Sequence, residues 1–290
     1  MIIGPRSRNG VTIVELMTAI AIVGLLCALL APAIMHGRER ARDLQCRNQL
    51  HQIGLALAQF EESHGVFPTS AFTFSRLSSQ LESPETLLRC PSDVRNDPSA
   101  KYDRSYFIND GTRFRTFYRN GFAVQPVNDI VRGRRDARAA DITDGMSSTA
   151  AVSERMLCLL SDQNRTEAEL RTGDTKRFLW FISRHVATED ELARECLSAR
   201  QTPFPLELRP SGDGDMGYDH ILPPNVPGCY NSASRLGHIM FNDAIPPSSQ
   251  HVAHVNLLFC DGSVRPIPNS VDMRIWRAIG TRNGSETVEW

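Results

Sequence analysis

Apolar residues run almost unbroken over residues 16–35, interrupted only by Thr18, Gly24 and Pro32. Measured from Val11 to Ile34, the 24 residues would rise about 36 Å as a helix, against a hydrocarbon core of about 30 Å. The pattern predicts one tilted membrane span. Past His36 the period changes. Cys46, Leu50, Ile53, Leu57 and Phe60 recur at spacings of three and four, with Arg, Gln and Glu between them. That spacing predicts that the helix leaves the membrane and continues to about His64 with one apolar stripe seeking a partner surface. Gly65 and Pro68 mark its end.

From residue 65 to 290 the apolar runs shorten and Gly, Pro, Asn and Asp separate them. Strands are expected at 105–108, 114–118 and 150–152. Asp261-Gly262 between the apolar runs of 255–265 predicts a hairpin with a type I′ turn. A short helix carrying Ile275, Trp276 and Ile279 is expected to start at Ser270 and stop at Gly280. Residues 160–200 look helical, with Thr188 and Glu191 in a capping-box pattern, so the block at about 156–215 reads as a helical insertion. The expected fold is α+β: residues 1–10 as a leader, 11–64 as a long N-terminal helix, and 65–290 as a mainly antiparallel globular domain.

Glu15 breaks the apolar pattern where an ionised carboxylate costs about 2.5 to 3.5 kcal/mol at mid-bilayer. One account is local: Thr12 and Glu15 form a capping box, with Val11 and Leu16 placed as a hydrophobic staple. The other follows from the preceding punctuation. Residues 1–10 end in Gly10 before the apolar run, whereas a secretory signal would carry its small-residue cleavage site after it. Glycine, a hydrophobic residue, threonine, and glutamate fifth after the glycine together resemble the processing segment of type IV prepilins and type II secretion pseudopilins. The resemblance implies cleavage between Gly10 and Val11 by a prepilin peptidase and N-methylation of Val11. It also implies Pro32 as a helix kink and Glu15 as the partner of a neighbouring subunit's N-terminus. The Arg residues after the span (Arg38, Arg40, Arg42, Arg47) outnumber Arg6 and Arg8 before it. Charge bias alone would therefore favour the reverse orientation. The resemblance implies a peptidase that acts at Gly10 from the cytoplasmic side, which would place the C-terminal domain outside the cytoplasm on a single-pass inner-membrane anchor.

A narrower resemblance follows downstream. The segment from Arg42 through Cys46, Asn48, Leu50, Ile53 and Gly54 to Phe67-Pro68 is similar to DUF1559, a pseudopilin-like family abundant in planctomycetes. So are Cys90-Pro-Ser-Asp93, Ile142-Thr-Asp-Gly-Met-Ser-Ser-Thr149 with Glu154-Arg155, and Leu222-Pro-Pro-Asn225 before Cys229. The closing signature is His251, Asn256, Asp261 and Gly262. Ala253, His254 and Cys260 depart from the family pattern.

The net charge of −1 supplies no field for nucleic acid. Arg132, Arg134, Arg135 and Arg138 form a basic cluster, but Asp129, Asp136 and Asp141 dilute it and no aromatic residues accompany it. It reads as an exposed loop, and no nucleic-acid partner is expected. Of seven cysteines, Cys27 lies in the apolar run. The other six (Cys46, Cys90, Cys158, Cys196, Cys229, Cys260) allow up to three disulfides outside the cytoplasm. Cys46, on the helix stripe, and Cys90, in a turn-rich segment, are the pair expected to close.

Two clusters raise metal chemistry. His251, His254 and Asp261 carry zinc or iron ligand types, but strand residues three apart point to opposite faces, so His251 is expected to be structural. Asp213 and Asp215, with Asp219 beyond, offer oxygen ligands of the kind calcium accepts, without the EF-hand spacing. Ser147, Ser148 and Ser153 lack a nucleophile elbow, and no phosphate loop, dinucleotide fingerprint or zinc-protease motif occurs. The expectation is a non-enzymatic pseudopilin-like protein without a cofactor. It would assemble with itself or other pilin-like subunits into a pilus-like or type II secretion-associated structure. A membrane-anchored adhesive or ligand-binding ectodomain, and a metal-dependent hydrolase, are the alternatives.

Overall fold

The computed structural model describes residues 12–69, 73–93, 104–113, 120–123, 136–156, 175–177, 179–182, 185–198, 202–204, 217–231 and 242–286. Gly10, Val11, the strand expected at 114–118, Arg132, Arg134, Arg135, Asp213 and Asp215 lie outside them. The chain divides into two units, residues 1–42 and 43–290.

Helix α1 spans Ile13–His64. In the first unit its large apolar side chains between Ile13 and Met35 are each at least half exposed. It is the one described helix long and apolar enough to cross a membrane. Burial in hydrocarbon would remove that surface from water at about 25 cal/mol per Å². Pro32 lies inside the helix, where its missing N–H removes one backbone bond and gives a physical ground for a bend. At the far end Gly65 adopts φ +68° and donates to the Glu61 carbonyl at 2.7 Å, a left-handed termination that glycine adopts without a Cβ penalty.

In the second unit the α1 stripe meets its partner. Cys46, Leu50, Ile53, Leu57 and Phe60 pack with Tyr106, Ile108, Ala151, Val152 and Leu258 in one core. Short helices α2 (Thr73–Arg76) and α3 (Pro84–Leu87) follow α1, and Phe74 and Leu87 join that core. A five-stranded sheet carries its sheet side: β1 Tyr106–Gly111, β2 Ala150–Glu154, β5 Tyr218–Asp219, β8 His254–Phe259 and β9 Val264–Pro268, in the order β5-β1-β2-β8-β9. All neighbours are antiparallel except β1 and β5. Val255, Leu257 and Phe259 alternate to the opposite face, where they pack with Trp276 and Ile279 at helix α5 (Met273–Ala278). Period-two alternation thus sends Leu258 to α1 and its neighbours to α5. At Gly54 α1 approaches the β8–β9 hairpin closely, since a Cβ there would sit 2.9 Å from the Leu258 side chain and 3.4 Å from the Gly262 Cα.

A second sheet, in the order β4-β3-β6-β7, comprises β3 Leu179–Ile182, β4 Thr202–Phe204, β6 Gly228–Asn231 and β7 Asn242–Ala244. Helix α4 (Glu189–Cys196) adds Leu192 and Cys196 to its core beside Trp180, Ile182, Cys229 and Ala244. The fold is α+β with mainly antiparallel sheets. Two disulfides join described cysteines: Cys46–Cys90, with Cα atoms 5.2 Å apart, and Cys196–Cys229, at 5.5 Å. Cys260 is a free thiol, and burial pushes its pKa up.

Three local expectations are corrected. Residues 179–182 and 202–204 are strands, so the block expected to be helical is mixed, its apolar Leu-Trp-Phe-Ile run pairing with β6 and β4. Asp272, not Ser270, caps α5, accepting from the Arg274 N–H at 2.8 Å. The β8–β9 turn closes as the Phe259 N–H donates to the Ser263 carbonyl and the Gly262 N–H donates to the Phe259 carbonyl, each at 2.9 Å. Only Gly262 has positive φ (+83°). That is a three-residue loop with a glycine bulge rather than a type I′ turn, and the exposed Asp261 accepts from the Ser263 N–H and hydroxyl.

His220 predicts a pH response. Its ring is fully buried between Trp276 and Tyr218, and a Cβ at Gly280 would lie 2.5 Å from its Cγ. Nδ1 donates to the Trp276 carbonyl at 2.7 Å, and burial lowers the imidazole pKa to about 3. The unfolded chain therefore binds the extra proton first. His220's contribution is fully present above about pH 6.5 and is lost as pH falls toward 3, with a slope approaching ~1.4 kcal/mol per pH unit. Urea unfolding of the full chain in detergent micelles at pH 7 and pH 5 is expected to show this loss. A His220→Gln chain is expected to lack that share of the pH dependence.

Candidate functional site

Two places concentrate unusual chemistry. At the start of α1 the Glu15 carboxylate accepts from the Thr12 backbone N–H at 2.9 Å and the Thr12 hydroxyl at 2.8 Å. The Glu15 N–H in turn faces Thr12 Oγ1 at 3.3 Å. Both halves of the capping box are present.

The second place lies where residues 43–50 of α1 cross β2 and β8. Asn256 sits on the Leu258 side of β8, so its amide faces the helix. Its Nδ2 donates to Asp43 Oδ1 at 2.8 Å and Glu154 Oε1 at 3.1 Å, and its backbone N–H donates to Glu154 Oε2 at 3.0 Å. His251 Nε2 lies 3.2 Å from Glu154 Oε1 and 3.8 Å from Asp43 Oδ1, and 3.8 Å from Cys90 Sγ. His254 Nε2 is 3.2 Å from the same Asp43 oxygen, while its Nδ1 faces the Val252 carbonyl at 3.0 Å. Arg47, one turn along α1, forms an ion pair with Asp43. Burial raises the Asp43 pKa, but hydrogen bonds from Asn256, Arg47 and His254 outweigh it and hold the carboxyl below its ordinary range. Glu154, His251 and Asn256 are all within 3% of complete burial. Buried charges of this kind persist only when paired and hydrogen-bonded.

The expectation that His251 and His254 point apart fails for a local reason. His251 precedes β8, and Ala253 between them has φ +65°, so the strand period does not apply. The rings stack 11° from parallel with centroids 5.5 Å apart. Asp261, the third member of that expected metal set, is in the hairpin loop holding Ser263 and is not brought to the histidines. Gly262 instead meets α1, its carbonyl 3.2 Å from His51 Nδ1. Asp219 of the expected calcium loop is buried and accepts from the N–H groups of Ile221 and Ile245. Ser153 is buried and donates to the Asn256 carbonyl.

The other sequence signatures act as struts between segments of the second unit. Asp93 accepts from Ser105 Oγ at 2.9 Å and Arg177 at 2.7 Å. Asn225, at φ +61°, accepts from the Ser249 N–H and donates to the His254 carbonyl, fixing the entry to β8. Asp144 accepts from Thr281, Gly284 and Ser285. Asp43, Arg47 and Glu154 are the members that sequence reasoning assigned to no site, although Glu154 stood in a family signature and Arg47 in the basic flank after the span. Their signals were a carboxylate at the end of an otherwise buried strand run and an Asp-Arg pair four residues apart on the apolar helix.

Among the described residues, one group of thiol, imidazole and carboxylate ligand atoms converges. It comprises Cys46, Cys90, Glu154 and His251, all within 4.8 Å of one another and all buried. Comparison with known families returns two matches. A model described as "Protein of unknown function (DUF1559)" covers residues 35–82 and 77–274, and a model of the prokaryotic N-terminal methylation motif covers residues 5–31. No curated protein and no solved structure matches.

Proposed function

Since the chain belongs to the DUF1559 family and carries the prokaryotic N-terminal methylation motif, we propose that this prepilin-type, pilin-like protein is cut after Gly10 by a prepilin peptidase. The product then assembles through α1 with copies of itself or other pilin-like subunits. The anchor is the apolar N-terminal part of α1, and the C-terminal globular domain stands on the extracytoplasmic side of the inner membrane. The role is structural rather than catalytic: the buried polar residues of the second unit hold α1 to the sheet.

The observation that carries this reading is Glu15 in an otherwise apolar span whose large side chains are all exposed. A membrane removes the apolar surface from water but leaves the carboxylate uncompensated, and a free amine at Val11 of an adjacent subunit would neutralise it. Intact mass and N-terminal peptide mapping of chain purified from native membranes test the processing step. The expected product begins at Val11, with or without an added methyl group. Retention of residues 1–10, or a product beginning beyond residue 30, overturns the proposal.

A further inference from the structure

We propose that Cys46, Cys90, His251 and Glu154 form a closed zinc site in the reduced chain, and that the Cys46–Cys90 disulfide and the metal exclude one another. The geometry is close to that of the bound state. Zinc–sulfur bonds of about 2.3 Å and zinc–nitrogen or zinc–oxygen bonds of about 2.0 to 2.2 Å give tetrahedral edges of roughly 3.5 Å from sulfur to nitrogen or oxygen, and about 3.3 Å from nitrogen to oxygen. Here Cys90 Sγ lies 3.8 Å from His251 Nε2 and 4.0 Å from Glu154 Oε1, and those two atoms are 3.2 Å apart. One face of the tetrahedron therefore stands already formed. Cys46 Sγ, within 4.8 Å of the other ligand atoms, has to move off Cys90 Sγ to about 3.8 Å and settle over that face, which a side-chain rotation on the helix would supply.

The donor set selects the metal. Two thiolates and an imidazole suit zinc, whereas calcium and magnesium require oxygen cages. Four protein ligands leave no open coordination position, so the site is structural rather than hydrolytic. Asn256 bonds both Glu154 oxygens and would orient the carboxylate from outside the metal shell. The site ties α1 (Cys46), the segment after α3 (Cys90), β2 (Glu154) and the entry to β8 (His251) together, as the disulfide ties the first two.

Interconversion balances. A dithiol attacks the Cys46–Cys90 bond, passes through a mixed disulfide and leaves as its own disulfide. Its two electrons and two protons end on Cys46 and Cys90 as thiols. Zinc then replaces the two thiol protons, which pass to water. An oxidised dithiol partner reverses both steps and releases the ion.

The test uses full-length chain in detergent micelles under argon, oxidised or reduced with a phosphine, titrated with Co²⁺ and then Zn²⁺. The reduced chain is expected to bind about one metal per chain at a four-ligand site, with a thiolate-to-cobalt charge-transfer band that Zn²⁺ abolishes. The oxidised chain is expected to show no such band. Cys90→Ser should lose the band, Cys229→Ser should keep it, and His251→Ala should weaken binding by more than about 100-fold. A reduced chain with the far-UV circular dichroism of the oxidised one and no band overturns the proposal. So does a band that survives Cys90→Ser, or a reduced chain that unfolds and is not restored by zinc. If Cys90→Ser does not fold, the oxidised and reduced wild-type pair decides alone.

Discussion

Chains carrying Glu15→Gln are expected to insert and to be cleaved after Gly10, yet to stay out of filaments and higher complexes, as Glu15→Ala chains do. Glutamine preserves an acceptor for the Thr12 N–H and hydroxyl, which the carboxylate now engages at 2.9 and 2.8 Å, and removes the charge. Alanine removes both. A carboxylate and an amine about 4 Å apart attract by roughly 4 kcal/mol at an effective dielectric of 20. That is of the same order as the roughly 2.5 to 3.5 kcal/mol a mid-bilayer charge costs. Pairing with a neighbouring N-terminus would therefore make Glu15 tolerable in an assembly and leave the lone subunit with the penalty. Crosslinking in native membranes, scored for wild type and both variants, measures it. Should Glu15→Gln assemble like wild type while Glu15→Ala fails, Glu15 is a helix cap and the pairing is refuted.

The second large effect is expected at Glu154. Removing this carboxylate by Glu154→Ala strips partners from the Asn256 N–H, the Asn256 amide and His251 at once, in a site with almost no access to water. Breaking a buried pair by deleting one member costs about 3 to 5 kcal/mol, a large share of the roughly 5 to 15 kcal/mol that stabilises a typical domain. Glu154→Gln keeps acceptor and shape and should lose distinctly less. Asp272→Ala is a useful contrast, because Asp272 and Arg274 pair in the open, where an ion pair contributes about 0 to 1 kcal/mol and a helix cap about 1 kcal/mol. Urea unfolding of the oxidised full-length chain, with the disulfides intact, ranks the three. Equal losses for Glu154→Ala and Asp272→Ala would show that the cluster around Glu154 does not hold α1 to the sheet.

Much of this molecule was legible in one dimension because the information was local. The membrane-length run, the α1 stripe from Cys46 to Phe60, its glycine stop, the Thr188 cap and the 255–265 hairpin each depend on residues within one or two turns of each other. Periodicity and capping chemistry act at that range. The α+β class followed from those elements, and the pilin-like N-terminus from the spacing of Gly10, Thr12 and Glu15. Tertiary structure decided the rest. Asp43 lies 213 residues from Asn256, and Glu154 lies 97 from His251. No local period reports such contacts, and the positive φ of Ala253 broke the strand rule that would have separated the two histidines. Chain-wide packing likewise explains why Gly54 must be small, because it lies against Leu258 and Gly262 of the β8–β9 hairpin. The β3 strand needed β6 and β4 beside it before its apolar run could be distinguished from a helix, since short apolar runs carry no period of their own. The sequence determined the anchor, the helix and the chemistry available. The fold determined which carboxylate, imidazole and thiol groups meet, because burial and long-range register, not spacing along the chain, bring them within reach.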